Sequence, residues 1–254
     1  MNERLPEAPS SGSTEELEKA SIRGFFEERR GGLCVEVGSN ESLSVSSQSW
    51  HLEDRLDWKC ILVEPNPELA RAAREARPRA SVYECACVGP HEVGSRQFFI
   101  PISDRGEVAS HASLQKNADD HHYERHRSIT VEARTLDQII ESAGAQSVDF
   151  LSVDVEGTEL QVLQGFDFSK YRPELILLED KHLYLNKHRY LKKQGYRLVR
   201  RLNRNCWYVP TETLTPRAPT RETLRLLKRM YLSIWLKKLR YAIEHRSLDP
   251  FRVL

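Results

Sequence analysis

Residues 148–166 read VDFLSVDVEGTELQVLQGF, and the order of apolar and polar residues in this stretch decides the fold. The segment 150–153 is apolar except for its third residue, which predicts a short buried strand. The chain then breaks at 154–157, and apolar residues recur from Leu160 onward at three-residue steps, as in a helix. Carboxylates therefore follow a buried strand in an α/β pattern, at the point where open parallel sheets bind their ligands.

Two other apolar runs also end directly in residues that suit ligand binding. The run 33–37 leads into Gly38, which lets the backbone turn tightly and come close to a ligand. The run 60–63 leads into Glu64, roughly 25 residues beyond Gly38, and nucleotide-binding sheets place an acid on ribose hydroxyls at about this spacing. No cationic residue stands close to Glu64 in the sequence, which favours a hydroxyl ligand over a salt bridge.

Four motifs carry a resemblance to a known family: VEVGSN at 35–40, LVEPNP at 62–67, RTLD at 134–137 and DFLSVDVEG at 149–157. With these motifs the chain resembles the FkbM-type methyltransferases over roughly residues 30–209. The resemblance implies methyl transfer from S-adenosylmethionine. It also implies a Rossmann-like class I methyltransferase fold, in which a mostly parallel seven-stranded sheet has an antiparallel last strand and helices on both faces. Ser39 departs from the family pattern, which usually has alanine there.

The composition limits the class of protein. A chain of 254 residues is long enough for one large α/β domain, and a net charge of +1 gives no reason to expect a nucleic-acid partner. No apolar run approaches the ~20 residues that span a bilayer. The five cysteines are odd in number and mostly stand in strand-like runs, so we expect buried free thiols and a cytoplasmic protein.

The pattern along the chain divides it into four parts. We predict a disordered N-terminus at 1–12, a methyltransferase domain at 13–209, a linker at 210–219 and a basic amphipathic helix at 220–254. A long polar stretch at about 102–127 interrupts the domain and is interpreted as a lid or substrate loop inserted into the sheet. The predicted strands are 33–37, 60–64, 81–87, 97–101, 128–131, 148–153, 174–179, 196–201 and 205–209. The predicted helices of the domain begin near residue 13 and then occupy about 46–56, 67–77, 135–143, 158–166 and 183–194.

The loop after the first strand is predicted to meet the amino-acid part of the methyl donor. Gly38 and Ser39 would face it with their backbone, and Glu36 suits its ammonium group or a bridging water. The alternative, which is less favoured, is that Glu36 is a surface acid at a strand end. Asn40 either bonds the donor's carboxylate or caps a helix.

The loop after the second strand is predicted to bind the nucleoside part of the donor. Glu64 would accept hydrogen bonds from the ribose, the alternative being a solvated acid, and Pro65 and Asn66 would shape the same edge. Ala86 is a small residue that could lie beside the adenine.

Asp154 is the leading catalytic candidate, because it follows the central strand. It could take the acceptor's hydroxyl proton or orient the donor, or it could only cap a helix. His182 is the second candidate base, since histidine titrates near neutral pH, although a surface histidine is an equal reading. No metal is favoured. Asp154 with Glu179 and Asp180 could bind Mg²⁺, but these acids could instead pair with Lys181 or bind sugar hydroxyls.

Four histidines stand in the polar stretch. They are read as part of a solvated loop rather than as metal ligands, because adjacent histidines diverge. They are His111, His121, His122 and His126.

We therefore expect an S-adenosylmethionine-dependent O-methyltransferase that acts on a hydroxyl of a sugar, a glycan or a secondary metabolite. One alternative is a nucleotide- or sugar-binding protein without methyl transfer. A nicotinamide-dependent enzyme is disfavoured, because no Gly-x-Gly-x-x-Gly turn follows the first strand.

The C-terminal segment 217–254 is strongly basic. It carries ten Lys/Arg and three Asp/Glu, a net charge of +7. Such a helix could dock on the domain, form a homodimer or lie on an anionic membrane.

Overall fold

The computed structural model describes residues 14–40, 47–116, 123–180 and 185–214, together with eight positions between 224 and 239. The predicted disordered N-terminus lies outside these residues, as do His182 and most of the predicted linker and C-terminal helix. Within the described part of the chain, none of the helices has the length and apolar character needed to cross a bilayer.

The first third of the chain alternates helices and strands, as predicted. The elements are α1 (Thr14–Phe25), β1 (Leu33–Val37), α2 (Trp50–Leu56), β2 (Lys59–Val63), α3 (Pro67–Ala76) and β3 (Ser81–Tyr83). Helix α3 begins where expected, with a proline at its first position and the Asn66 side chain accepting a hydrogen bond from the Glu68 N–H. Helix α2 begins at Trp50 rather than near residue 46, because the residues just before it bond to a buried glutamate on β1.

The middle of the chain forms a second, smaller sheet. Its strands are β4 (Ala86–Cys87), β5 (Gly94–Ser103), β6 (Gly106–Glu107) and β7 (Arg125–Arg134). The long hairpin of β5 and β7 is paired from Gly94↔Ala133 to Ile102↔Arg125.

Two predictions are corrected by this sheet. The expected strand 81–87 is split between the two sheets, and at the break Glu84 is exposed and ion-paired with Arg74. The stretch predicted as an insertion into the main sheet instead belongs to a separate layer, because β5 and β7 satisfy each other's backbone hydrogen bonds.

The last part of the chain returns to the main sheet. Its elements are α4 (Leu136–Ser142), β8 (Phe150–Val153), α5 (Glu159–Gln164), β9 (Leu175–Glu179), α6 (Leu185–Lys193), β10 (Tyr196–Leu202) and β11 (Asn205–Pro210). Helix α4 opens with a capping box between Thr135 and Gln138. Every residue of β8 and β9 is buried, as expected of strands covered on both faces.

The main sheet has seven strands in the order β10-β11-β9-β8-β1-β2-β3. All neighbours from β9 to β3 are parallel, and only β11 runs against the rest. Helices α1 to α3 pack on one face, through residues such as Ile22 and Leu52, and α4 to α6 pack on the other, through residues such as Ile139 and Leu191. The predicted mixed α/β architecture with a largely parallel sheet is therefore confirmed.

The cysteines and the C-terminal segment can be compared with their predictions in part. All five cysteines are buried, as predicted, and each is a free thiol. At the C-terminus, Met230 is buried and Leu226 packs against the same core, whereas Leu232, Leu236 and Leu239 are half exposed.

Candidate functional site

The register of the main sheet brings four strand ends to the same level. Val37 pairs with both Val63 and Val153, and Val153 pairs with Leu178. The next residue on each strand therefore stands in one row along the carboxyl edge. These four residues are Gly38, Glu64, Asp154 and Glu179.

A cavity opens along this row and is roofed by the smaller sheet. Its walls include eight of the nine predicted donor-binding residues, namely Glu36, Gly38, Ser39, Asn40, Glu64, Pro65, Ala86 and Asp154. The smaller sheet and the segment between β6 and β7 add Cys87, Phe98, Ala109, Ser110, Ala112 and Leu114. The residues that the sequence assigned to donor binding therefore lie around one cavity, and their role in binding stays a prediction.

Gly38 makes a backbone contact that no other residue type permits. Its φ is +82°, and a Cβ at this position would lie 1.7 Å from the carbonyl oxygen of Asp154. The N–H groups of Gly38 and Ser39 both donate to the Val63 carbonyl, at 2.9 and 3.2 Å. The loop after β1 is thereby held tightly between β2 and the loop after β8.

Glu64 is a buried carboxylate that faces the cavity. One oxygen accepts the Asn40 N–H and the other accepts the Asn66 N–H, both at 2.9 Å. Burial raises the pKa of Glu64 to about 7, although these two hydrogen bonds act in the opposite direction. Each carboxylate oxygen has a further lone pair, so the group can still accept two hydroxyl hydrogens from a ligand. The alternative of a solvated acid is wrong.

The neighbours of Glu64 and Gly38 divide into wall residues and supports. Pro65 lines the cavity, whereas Asn66 lies outside its lining and caps α3. Ser39 is 1% exposed and lines the cavity, and its hydroxyl has no hydrogen-bond partner among the residues that the structure describes. Asn40 has a φ of +44° and donates its N–H to Glu64.

Glu36 is buried and already bonded to the protein. Its oxygens accept hydrogen bonds from the Ser47 hydroxyl at 3.0 Å, from the Gln48 N–H at 2.7 Å and from the Ser49 hydroxyl. The guanidinium of Arg77 lies 3.9 Å away. The reading as a surface acid is wrong, and the geometry shows Glu36 organising the start of α2.

Three carboxylates gather at the other end of the cavity, where two of them, Asp154 and Glu156, line its wall. Asp154, Glu156 and Glu179 each place an oxygen within 4.8 Å of the other two. Asp180, which the sequence grouped with them, instead lies 3.6 Å from the ammonium of Lys187. Side chains of consecutive residues on a strand point to opposite faces, which explains why Glu179 and Asp180 separate. Carboxylate oxygens in this arrangement fit a hard divalent cation such as Mg²⁺.

The acidic surroundings change the protonation of Asp154. Its pKa lies well above the usual value, because the protein removes the carboxyl group from bulk water and because Glu179 and Glu156 add negative charge. Solvent still reaches the side chain through the cavity, which limits the first of these effects. Asp154 is therefore suited to hold or accept a proton.

Lys187 is a site residue that the sequence analysis missed. Its ammonium lies 2.7 Å from Glu159, and Glu159 accepts the Gly157 N–H at 2.9 Å with its other oxygen. Lys187 stands on α6, where Arg189, Lys192 and Lys193 follow it, so the sequence offers no signal that sets it apart from a solvated lysine.

The roof is tied directly to the acidic end of the cavity. Ser113 is buried, and its hydroxyl donates to the Glu156 carbonyl at 2.8 Å. Its backbone pairs with Phe99 of β5. The predicted lid therefore contacts the motif that decides the fold.

The histidines of this region are described in part. His111 hydrogen-bonds the Tyr123 hydroxyl at 2.6 Å, and His126 packs against the ring of Tyr123. His121 and His122 lie outside the described residues. The proposed role of His182 as a base likewise stays a prediction, because that residue is not among those described.

One of the comparisons with known proteins identifies the family of this chain. No curated protein matches the sequence significantly. One solved structure, a methyltransferase-like protein (spo2022) from Silicibacter pomeroyi DSS-3, aligns over 89% of this chain and 98% of its own, with 15% identity and a TM-score of 0.38. That TM-score is too low to support an argument about the fold. The methyltransferase FkbM domain family is matched directly by residues 36–198, which include Gly38, Glu64 and the acidic motif, and the chain therefore belongs to this family.

Proposed function

We propose that this methyltransferase uses S-adenosylmethionine as its donor and methylates a hydroxyl group of a sugar, a glycan or a secondary metabolite. The observation that carries the proposal is the row formed by Gly38, Glu64 and Asp154 along one cavity. It combines a close-approach glycine, a buried acid with free lone pairs and a carboxylate suited to take a proton.

The cavity offers separate contacts for the two halves of the donor. The ionised Glu64 accepts the two ribose hydroxyls, and the fixed loop at Gly38 and Ser39 receives the amino-acid end. Because the buried Ser39 hydroxyl has no partner in the described part of the chain, it can donate to the donor's carboxylate without breaking a bond to these residues. Ala86 and Phe98 provide an apolar surface for the adenine ring.

The acidic end of the cavity is the proposed place for the acceptor. The donor supplies an electrophilic methyl group, and displacement at this group requires the acceptor oxygen to be aligned with it. Holding two reactants in line can lower the barrier by roughly 7–11 kcal/mol. Asp154 takes the hydroxyl proton, which is typically worth about 10²–10⁴ in rate.

The second proposal for the same end of the cavity is that it binds a divalent cation. Asp154, Glu156 and Glu179 would hold it, and it would bind the acceptor oxygen and lower the pKa of the hydroxyl. A nucleotide-binding protein without methyl transfer would use the same cavity but would not need this acidic end. We therefore favour the enzyme over the binding protein.

The first experiment compares ligands and then activity. We expect S-adenosylhomocysteine, and not NAD, to raise the melting temperature of the protein. Isotopically labelled S-adenosylmethionine should then label one member of a panel of glycans and small alcohols. Stabilisation by NAD alone would reject the donor assignment, and binding of S-adenosylhomocysteine without labelling of any acceptor would favour a binding protein.

The proposed location is the cytoplasm, where five buried thiols would stay reduced. The basic C-terminal segment is proposed to contact either a second copy of the chain or an anionic membrane, which a lipid-linked acceptor would explain.

A further inference from the structure

A buried lysine ammonium lies between two buried carboxylates behind the cavity wall. The side chain of Lys187 on α6 is 8% exposed, and its Nζ lies 2.7 Å from Glu159 Oε2 and 3.6 Å from Asp180 Oδ1. Glu159 and Asp180 are 1% and 2% exposed. Removing one partner of such a group leaves an uncompensated buried charge, so the position of each member depends on the others.

The same acid holds the turn that ends the decisive motif. Glu159 Oε1 accepts the Gly157 N–H at 2.9 Å. Two consecutive residues of this turn have positive φ, +54° at Glu156 and +104° at Gly157. A non-glycine residue in this region is strained, and such a conformation persists only where surrounding contacts hold it. The Gly157–Glu159 hydrogen bond is one such contact.

The turn is also a wall of the donor cavity. Asp154 and Glu156 line the cavity, and the Asp154 carbonyl packs against Gly38. A change in the turn therefore moves the surface against which the loop after β1 is held.

We propose that Glu159 is a positioning residue of the donor site, since it holds the 154–157 turn through the Gly157 N–H, while the ammonium of Lys187 compensates its buried charge. This inference rests on the proposed binding of S-adenosylmethionine in the cavity. It assigns to Glu159 on α5, which does not itself line the cavity, a role in the affinity for the donor.

A purely structural salt bridge is the competing account, and paired variants separate the two. Lys187→Met with Glu159→Gln removes both charges but keeps an amide oxygen that can accept the Gly157 N–H. Lys187→Met with Glu159→Leu removes the charges and the acceptor together. Lys193→Met, on the exposed face of the same helix, is the control for loss of a lysine.

The measurements are the melting temperature and the dissociation constant of S-adenosylhomocysteine by calorimetry, well below the melting point. We expect similar melting temperatures for the two double variants. The Gln variant should bind within about threefold of the wild type, and the Leu variant roughly tenfold more weakly, which is about 1.4 kcal/mol. Lys193→Met should bind like the wild type.

Equal affinities of the two double variants would overturn the inference while leaving the proposed function standing. Failure of the wild-type protein to bind S-adenosylhomocysteine would instead reject the proposed function, and this inference with it. If a double variant does not fold, Glu159→Gln and Glu159→Leu repeat the same comparison with Lys187 in place.

Discussion

The carbonyl oxygen of Asp154 occupies the space in which any side chain at Gly38 would have to begin. A Cβ on Gly38 would lie 1.7 Å from this oxygen and 2.8 Å from its carbonyl carbon. The first and last motifs of the family resemblance therefore meet through backbone atoms. Their spacing depends on the absence of a side chain rather than on a side-chain bond.

Gly38→Ala tests this contact. We expect a loss of about 2–5 kcal/mol in the free energy of unfolding, because a left-handed conformation and a severe overlap are combined. Gly144→Ala is the matched control, since Gly144 has a φ of +68° and no atom within 4 Å of its Cβ position. The control should lose only about 1–2 kcal/mol. Denaturant unfolding measures both, and equal losses would contradict the contact.

Glu64 should make donor binding depend on pH. Its pKa is raised from 4.5 to about 7, so the folded protein binds more protons than the unfolded chain between these values. Its contribution to stability therefore falls as pH rises from about 4.5 to 7 and is constant above 7. Affinity for S-adenosylhomocysteine should rise over the same range, because the ionised group accepts the ribose hydroxyls.

Two variants check this assignment by calorimetry. Glu64→Gln should bind with an affinity that no longer changes with pH around 7. Glu64→Ala should weaken binding by about 1–3 kcal/mol at pH 8. Unchanged affinity in Glu64→Ala would remove the ribose assignment.

Ser39→Ala should separate ligand binding from stability. The Ser39 hydroxyl is buried and makes no hydrogen bond within the described ranges of the chain, so its removal breaks no hydrogen bond there. We expect an unchanged or slightly higher free energy of unfolding, and a loss of about 0.5–1.5 kcal/mol in the binding of S-adenosylhomocysteine. A stability loss with unchanged binding would show that the hydroxyl serves the fold.

Asp154→Asn should reduce turnover more than donor affinity. Asparagine keeps the shape of aspartate but cannot take a proton, so turnover with a verified acceptor should fall by about 10²–10⁴. An unaffected rate would make Asp154 structural. Loss of wild-type activity in EDTA and its recovery with Mg²⁺ would favour the cation over the simple base.

Liposome binding tests whether the basic C-terminal segment contacts an anionic membrane rather than the domain or a second copy. If it contacts a membrane, the full chain should sediment with anionic liposomes at low salt and be released at high salt, because surface charge is screened within about 10 Å at 0.1 M. A chain ending at Pro219 should lose this binding and still bind S-adenosylhomocysteine. If the full chain does not sediment, packing against the domain or a second copy remains as the role of the segment.

The strands of the main sheet could be predicted because their signal is local. Buried parallel strands are short apolar runs, and a run such as 175–179 fits no position in the fold other than a buried strand. The row with Gly38 and Glu64 could be predicted as well, because a glycine and an acid follow these strands and parallel strands end at the same edge.

The remaining site features depend on contacts that are distant in sequence. Glu36 accepts hydrogen bonds from residues that follow it by 11 to 13 positions. The periodicity of apolar residues does not predict such contacts. Glu156, and not Asp180, joins the cluster of carboxylates, because the neighbouring side chains of Glu179 and Asp180 point in opposite directions. Lys187 was missed because its burial comes from α5 and β9, not from its own helix.

The strands around the cavity end at the same level, and this determines where the protein can accept inserted or deleted residues. One residue inserted into β8 would turn its later side chains to the opposite face and break the row with Gly38 and Glu64. The hairpin of β5 and β7 is different, because residues added in pairs at its far end keep the register from Gly94↔Ala133 onward. Evolution can therefore lengthen or shorten the roof, and with it the room for the acceptor, while the strands beneath keep their length.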